Sequence, residues 1–475
     1  MVFSSIEFLF YFLPVFLILY TFLPWKNVIL ALGSLIFYIW GEGFFVAIMI
    51  VSIVSNYFIG KLIAKSPPEN KKSMLFLGLA VNMFILILYK YTGFIVYDMF
   101  SLDNFPEHLV PKLPLGISFF TFQAMSYLID LYRKEAEPAR SALSLFAYIA
   151  MFPQLIAGPI VRYSSVAKEL EKRTTELRHI YHGLIFFAIG LGQKVLIADN
   201  MAAVVDPIFA LEANAVTMSV AWTGAIAYTL QIYFDFSGYS SMAIGLGLIL
   251  GFKFPQNFNY PYISKSITEF WRRWHMSLSS WFRDYLYIPL GGNRKGSLRT
   301  YINLFLVFFL CGLWHGASWT FVAWGLFHGI VLVIERLVKP YLKFNLPRIV
   351  CIPYALVLTI IGWVLFRAES FSQAGTFLSA MFGFSGIELA LYPPSVDMFV
   401  THQAAFVAII AIFLSFGSGE WLGKKLIVMP AIDSVDVKHS RAKICLGLIM
   451  ASCVLILSSI LILAGSYSAF IYFRF

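Results

Sequence analysis

Apolar residues run along this chain in blocks of membrane-spanning length, separated by short polar or charged connectors. The blocks cover 6–24, 28–63, 73–100, 113–131, 141–161, 180–198, 215–250, 301–337, 349–366, 402–416 and 442–468. A helix needs about 20 residues to cross a hydrocarbon core of roughly 30 Å, so the longer blocks divide and about 11 to 13 helices are expected. The 28–63 block divides at Gly41-Glu42-Gly43. Two blocks carry Gly and Pro where a continuous helix would not: LPLGISFFTFQ (residues 113–123) and FPQLIAGPIVR (residues 152–162). These read as broken helices lining a cavity, the setting in which irregular backbone survives at membrane depth.

The longest polar interruption is 253–300. Eight basic residues (Lys253, Lys265, Arg272, Arg273, Arg283, Arg294, Lys295, Arg299) face two acidic ones, Glu269 and Asp284. Its centre, ITEFWRRWHMSLSSWFRDY, is periodic. Ile267, Phe270, Trp271, Trp274, Leu278, Trp281 and Tyr285 fall within about 100° of arc at 3.6 residues per turn. Arg272, Arg273, Ser279, Ser280, Arg283 and Asp284 fall opposite, and Glu269 stands four residues before Arg273, close enough to pair. The pattern predicts one amphipathic helix at the cytoplasmic interface, aromatic side toward the bilayer, with His275 at the edge between faces. PLGGNRKG (residues 289–296) then ends it.

Composition turns the block pattern into a class. The 475 residues are 60% hydrophobic and 13% charged, with a mean hydropathy of +0.78. Soluble domains are nearer half apolar and one quarter charged. An all-α polytopic membrane protein follows, with 1–475 as a single membrane domain, since no loop is long enough for a second fold and no fixed-period repeat occurs. The 48 Phe, 25 Tyr and 11 Trp suit lipid-facing helices with interfacial aromatic belts. Connectors at 61–72, 133–140, 162–178, 253–299, 336–348 and 424–443 are basic, and those at 101–111, 206–214 and 386–397 are acidic or neutral. By the positive-inside rule the first group is cytoplasmic and the second external. The net charge of +10 is then loop bias and does not point to nucleic acid. Cys311, Cys351, Cys445 and Cys453 lie in apolar runs without metal-like spacing and read as small hydrophobes. The opening segment lacks a basic n-region and a small-residue cleavage site, so a retained first span is expected.

Against this background, ionisable residues inside apolar blocks carry the chemical signal. His315 sits between Trp314 and Gly316 in YINLFLVFFLCGLWHGASW (residues 301–319). On a helix continuing from Tyr301 it lies about 21 Å along the axis, where an ionisable side chain is costly and faces a cavity or the bundle interior. It is either a structural histidine bonded to a neighbouring helix or a general base. Gly312 and Gly316 favour the second by permitting close backbone approach to a ligand. A buried imidazole stays neutral at physiological pH and can take a proton from an attacking hydroxyl. His275 either solvates a lipid headgroup or, with Trp271, Arg272, Arg273 and Trp274, receives a phosphate-bearing donor from the cytoplasm. His328 reads as structural. Asp235, in QIYFDFSGYS, is expected to pair with an arginine of 253–300, with an orienting role for a catalytic group as the alternative. His179 and His182 are spaced for a metal, but no further ligands accompany them, and no metal is expected. No GxxxxGK[ST], HExxH or GxSxG motif occurs.

At these residues the chain resembles the membrane-bound O-acyltransferases, in particular the bacterial branch typified by the alginate O-acetyltransferase membrane subunit. The likeness runs through MVFSS, FYIWGE (37–42), LPLGISFFTFQAMSYLIDLYR, LIAGPIVR, YFDFSGYSSMAIGLGLILGF, PYISKSITEFWRRWHMSLSSWFRDYLYIPLGGNR, CGLWHGASWTFVAWGLFHG and GWVLFRAES (362–370). The ordered series WRRWH, WFRDYLY, GGNR, LWHG is highly specific.

The resemblance implies a bundle of about eleven transmembrane helices plus re-entrant segments, pierced by a tunnel joining the membrane faces. His315 matches the near-invariant catalytic histidine, and His275 the second polar catalytic position. The donor expected is cytoplasmic acetyl-CoA, a substrate and not a resident cofactor. Trp271, Arg272, Arg273, Trp274, Arg283 and Asn293 are the candidate donor-binding residues, with Asp235, Trp314 and Gly316 supporting. Gly291-Gly292-Asn293-Arg294 fits the acetyl-transferring branch better than the D-alanyl-transferring one. The implied route passes acetyl through a bacterial inner membrane to an extracytoplasmic SGNH-hydrolase-like partner that acetylates a polysaccharide of alginate, cellulose or peptidoglycan type. Membrane lipid is a further partner and nucleic acid is not. Two other classes remain open on the residues alone: a transporter or flippase of an acylated or anionic metabolite with His315 as proton relay, and a scaffold that recruits an external enzyme. No paired half-repeats of the transporter kind occur.

Overall fold

A computed structural model describes residues 2–341, 346–384, 390–417 and 441–465, and every regular element among them is helical. The 424–443 connector falls outside the described residues up to residue 440, as do residues 342–345 and 386–389 of two other connectors. The helices used below are α1 (Leu13–Phe22), α2 (Lys26–Glu42), α3 (Val46–Lys65), α4 (Pro68–Leu86), α5 (Ile117–Arg133), α6 (Ala142–Ile149), α7 (Phe152–Leu155), α8 (Tyr163–Glu171), α9 (Leu177–Gly192) and α10 (Asp199–Phe209). They continue as α11 (Met218–Leu250), α12 (Ile267–Arg273), α13 (Met276–Phe282), α14 (Ser297–His315), α15 (Trp319–Val338), α16 (Arg348–Arg367) and α17 (Phe371–Met381).

Among the described residues, seven helical segments are long and apolar enough to cross a membrane, and Glu7–Phe22 and His402–Ser415 are shorter apolar helices. The 113–131 and 215–250 blocks also form helices, α5 and α11, but they bury polar groups: Gln123 and Asp130 in the first, Gln231 and Asp235 in the second. The 141–161 block breaks as its prolines and glycine foretold. α6 stops at Ile149, α7 is a single turn, and a Cβ at Gly158 would stand 2.5 Å from the Gln154 Cα.

The chain divides into two compact units, each discontinuous in sequence. Among the described residues, the first holds 2–187 and 239–255. Within it the 28–63 block divides where expected. α2 ends at Glu42, Gly43 turns at φ 56°, and α3 starts at Val46. The buried amides of Asn56 (α3) and Asn82 (α4) exchange two hydrogen bonds of 3.0 and 2.8 Å, so neither polar group is orphaned in the apolar bundle. Near its C-terminal end α11 approaches α9 closely, where a Cβ on Gly245 would sit 2.5 Å from the Gly183 carbonyl oxygen.

The second unit holds the described residues of 188–238, 256–417 and 441–465. Its centre is the α14–α15 hairpin. The 301–337 block is not one helix: α14 stops at His315, Gly316 is extended, and α15 restarts at Trp319. His315 is therefore a helix terminus. The two helices touch backbone to backbone. A Cβ on Gly325 would lie 2.2 Å from the Phe308 carbonyl oxygen, and one on Gly312 would lie 2.4 Å from that of Phe321. Glycines four apart (Gly312 on α14 and Gly316 just past its end, Gly325 and Gly329 on α15) are the small-residue pattern that lets membrane helices meet. Gly312 and Gly316 thus serve helix packing, which corrects the expectation that they open space for a ligand; a Cβ at Gly316 would strike the Phe321 ring.

A second correction concerns Asp235. It pairs with Lys194, not with an arginine of 253–300: Lys194 Nζ lies 3.0 Å from Asp235 Oδ1 and 2.6 Å from Asp199 Oδ1. All three are at most 6% exposed. Lys194 lies on a π-helical stretch, Gln193–Ala198, that offsets its side chain from the regular α9 register.

Two stability outcomes follow. Gly325→Ala is expected to lower the melting temperature of the detergent-solubilised protein by several degrees, because backbone and not a flexible side chain blocks the new methyl. Gly375→Ala, on α17 with open space around its Cβ position, is expected to leave it unchanged or slightly raised. Lys194→Met strands two buried carboxylates without this cation and is expected to cost about 3–5 kcal/mol, more than Asp235→Asn.

Candidate active site

The 267–285 stretch was expected to be one amphipathic helix, and the structure breaks it in the middle. α12 ends at Arg273, Trp274 is extended, His275 turns left-handed at φ 42°, and α13 begins at Met276. No Gly or Pro marks the position. The break is held by the segment before it. Asn257 O accepts the Met276 N–H at 2.9 Å and Asn259 N–H donates to Arg273 O at 2.9 Å. The Asn257 side chain closes the turn: its Oδ1 accepts the Ser277 N–H at 3.2 Å and the Ser277 hydroxyl at 2.8 Å. A non-glycine residue at such a φ costs about 1–3 kcal/mol and persists only where its surroundings hold it.

The start of α12 is equally determined. Ser266 caps it by accepting the Glu269 N–H at 3.0 Å, while Glu269 accepts the Lys265 N–H at 3.0 Å, a close relative of the capping box. Glu335 of α15 accepts the Ile267 and Thr268 N–H groups at 2.6 and 3.0 Å. A carboxylate at a helix N-terminus meets the positive end of its dipole, and this one clamps α12 to α15.

The aromatic side of the segment faces protein, not lipid as the amphipathic pattern suggested. Trp271, Trp274 and Trp281 are all under 10% exposed. Trp274 packs tilted against Trp363 of α16 at 4.8 Å and edge-to-face against Phe258 at 5.0 Å, and Trp271 meets Phe308, Trp324 and His328. The pattern of a buried helix and that of an interfacial one are identical along the sequence; only the partner differs.

This arrangement brings His275 to His315, with ring centroids 6.4 Å apart. That is about twice a reacting contact of 3–3.5 Å, the span of a single bridging atom. Phe236 meets the edge of His275 at 4.6 Å. Trp324 and Phe366 close on His315 at 4.9 and 5.3 Å, and Trp314 lies against both imidazoles. His275 has no exposed surface and His315 retains 5%.

His275 lies outside the spanning helices, and burial pushes its pKa down to about 3. Its Nδ1 lies 3.1 Å from Asn257 Oδ1. Because that oxygen also receives a backbone N–H, the Asn257 amide cannot be turned round, and the proton of the neutral imidazole belongs on Nδ1. Nε2 is left as a buried acceptor with no hydrogen-bond partner. Orphaned buried acceptors are rare away from sites that use them.

The remaining expected residues divide. Arg273 pairs with Glu269 at 2.9 Å, the i,i+4 pair read from spacing, and Arg283 pairs with Asp284 at 2.6 Å. Arg272, Arg283 and Asn293 are exposed. Asp235, paired with Lys194, is the chain neighbour of Phe236, which meets His275. His328 packs between Trp271 and Trp324. Among the described residues no three His, Cys, Asp or Glu side chains gather as a metal site. Sequence reasoning missed Asn257, which lies 18 positions before His275 in a connector with no motif, and the α16 wall residue Phe366.

The model of MBOAT, the membrane-bound O-acyltransferase family, matches residues 37–357. The chain is 47% identical over 405 residues to the "Probable alginate O-acetylase AlgI" of Pseudomonas syringae, covering 82% of this chain and 77% of that protein. It is 42% identical to that of Pseudomonas putida over the full length of both. To the "Peptidoglycan O-acetyltransferase" of Helicobacter pylori it is 34% identical over 100% of this chain and 98% of the relative. His275, His315 and their neighbours Phe236, Asn257, Trp314 and Trp324 fall inside the matched region, with Phe366 just beyond it, and the chain belongs to the membrane-bound O-acyltransferase family.

Proposed function

We propose that this membrane-bound O-acyltransferase takes acetyl from cytoplasmic acetyl-CoA and passes it across the bacterial inner membrane, through an extracytoplasmic SGNH-hydrolase-like partner, to a cell-surface polysaccharide. The carrying observation is the pair of imidazoles 6.4 Å apart in an aromatic shell. The relatives named for alginate and peptidoglycan acetylation support a polysaccharide as final acceptor. The likeness to D-alanyl-transferring relatives, such as the teichoic acid D-alanyltransferase of Bacillus subtilis, covers only 50% of this chain, which supports acetyl as the group carried.

In this reading His315 is the general base. It takes the proton of the acceptor hydroxyl as that oxygen attacks the thioester carbonyl. The tetrahedral intermediate then collapses, the C–S bond breaks, and the imidazolium returns its proton to the leaving thiolate. The products are an acetyl ester and free CoA. His275 orients the donor. With its proton held on Nδ1, Nε2 offers a lone pair and cannot donate to a carbonyl oxygen, so it orients the donor without polarising the thioester. The N–H groups of the pantetheine arm are suitable partners. Trp314, Trp324 and Phe366 keep water from the thioester. Because both histidines are nearly sealed, entry of substrate requires this wall to open.

Labelled acetyl-CoA offered to the purified protein with its partner tests the reading. Transfer to acceptor with release of free CoA is expected, and His315→Ala is expected to lower it by about 10²–10⁴-fold; wild-type turnover by the folded variant removes His315 from the mechanism. Asn257→Ala frees the His275 ring and is expected to cost about 10–100-fold. Asn257→Asp keeps the acceptor but sets a carboxylate beside Nδ1. This favours the imidazolium and raises the His275 pKa from about 3. Since the neutral ring is the working form, the acid limb of the pH–rate profile is expected to move to higher pH, and an unmoved limb would show that His275 protonation does not matter.

A further inference from the structure

Away from His275 and His315, the first unit contains a cavity of about 200 Å³ between the end of α8, the start of α9 at His179, and the turn that ends α11. Among the described residues its lining sets Lys172, Arg173 and Lys253 against one carboxylate, Glu169. Both contributing connectors belong to the basic group that charge bias puts on the cytoplasmic side. At this size it takes a headgroup or one end of a ligand, since sites for whole drug-sized molecules run to roughly 300–1,000 Å³.

Arg173 is built into the wall. Its Nε donates to the Tyr20 hydroxyl at 2.7 Å, and its Nη1 donates to Asn27 Oδ1 at 2.7 Å and to the Glu169 carbonyl at 3.1 Å. The guanidinium plane lies over the Phe252 ring at 4.7 Å. Every one of these partners is neutral, and Nη2 is buried without a hydrogen-bond partner. A guanidinium fixed on several sides by neutral acceptors keeps its full charge and loses no further rotamer freedom on meeting an anion. Gly251 completes the turn at φ 86°, with Phe252 N–H donating to Gly247 O at 2.7 Å and Gly251 N–H to Leu248 O at 3.2 Å. That is the Schellman closure of α11, and it carries Phe252 under Arg173 and Lys253 to the rim. Lys172, Thr174 and Lys253 are exposed at the mouth.

We propose that this cavity binds a phosphate group, with Arg173 as the fixed floor and Lys172 and Lys253 as adjustable cations at the rim. Three cations with a single carboxylate suit a phosphate ester, whose oxygens accept charge-assisted bonds from several donors at once. Two molecules on that face of the membrane carry such a group: a nucleotide thioester donor and an anionic phospholipid. The site does not depend on the catalytic reading, since it lies in the unit that holds neither His275 nor His315.

The test uses the double variant Lys172→Gln/Lys253→Gln, whose changes are both at exposed positions, with melting temperature as the check on folding. Two probes are compared on wild type and variant: CoA by equilibrium binding in detergent, and retention of labelled phosphatidylglycerol after reconstitution in mixed phosphatidylglycerol–phosphatidylcholine vesicles and re-extraction. A weakening of about tenfold or more for CoA alone, lost also when wild type is offered dephospho-CoA, assigns the site to the donor. Loss of phosphatidylglycerol retention with unchanged CoA affinity assigns it to lipid. A folded variant that binds both probes as wild type does overturns the proposal. Arg173→Gln, compared at matched melting temperature, is expected to move the same probe further.

Discussion

One carbonyl oxygen carries an unusual share of this structure. Asn257 Oδ1 receives a backbone N–H, a hydroxyl and an imidazole N–H, and in doing so it stops a helix that the sequence pattern would otherwise continue. Stopping it there turns His275 inward at a left-handed φ, out of the register in which it would lie on the helix edge. The strain is tolerated because the backbone on both sides is bonded to 257–259 and because Trp274 beside it is packed against Trp363 and Phe258. The same contact decides which ring nitrogen carries the proton. Position and chemistry of one histidine thus come from one interaction.

The other histidine is set by an unrelated device. Glycines on α14 and α15 allow the helices to touch along their backbones, and the hairpin turn falls immediately after His315. Ending the helix there presents the ring to the 275 break and not along a continuing cylinder. Two rigid constraints, a polar clasp and a glycine seam, converge on one aromatic shell. Both imidazoles are thus held in fixed positions, and neither has to be aligned when a ligand arrives. Glu335, on the same α15 as Gly325, clasps the N-terminus of α12, so the seam and the clasp are mechanically one piece.

Much of this was legible in advance, and the failures have a common cause. Apolar block length gave the helical membrane class, and Gly41-Glu42-Gly43 and the proline–glycine stretch at 152–162 broke helices where local chemistry said they must. The Glu269–Arg273 pair followed from spacing. What misled was any inference that needed a partner's identity. Trp271, Trp274 and Trp281 form the stripe of a lipid-facing helix, yet they meet protein. Asp235 needed a cation, and periodicity could not say that Lys194 would supply it in place of an arginine. Gly312 and Gly316 were read as room for a ligand when a second helix fills that room. Asn257 had no signal at all, because a side chain that acts through tertiary contact leaves no period in the sequence.

The central claim is that His275 is a neutral ring with its proton on Nδ1 and a bare Nε2. Nitrogen-15 NMR of histidine-labelled protein in lipid, with the His275 signals assigned by difference against His275→Gln, measures this directly. The account predicts one protonated nitrogen, Nδ1, and one unprotonated nitrogen, Nε2, unchanged from neutral to mildly acidic pH. A proton on Nε2, or an imidazolium at neutral pH, would contradict it.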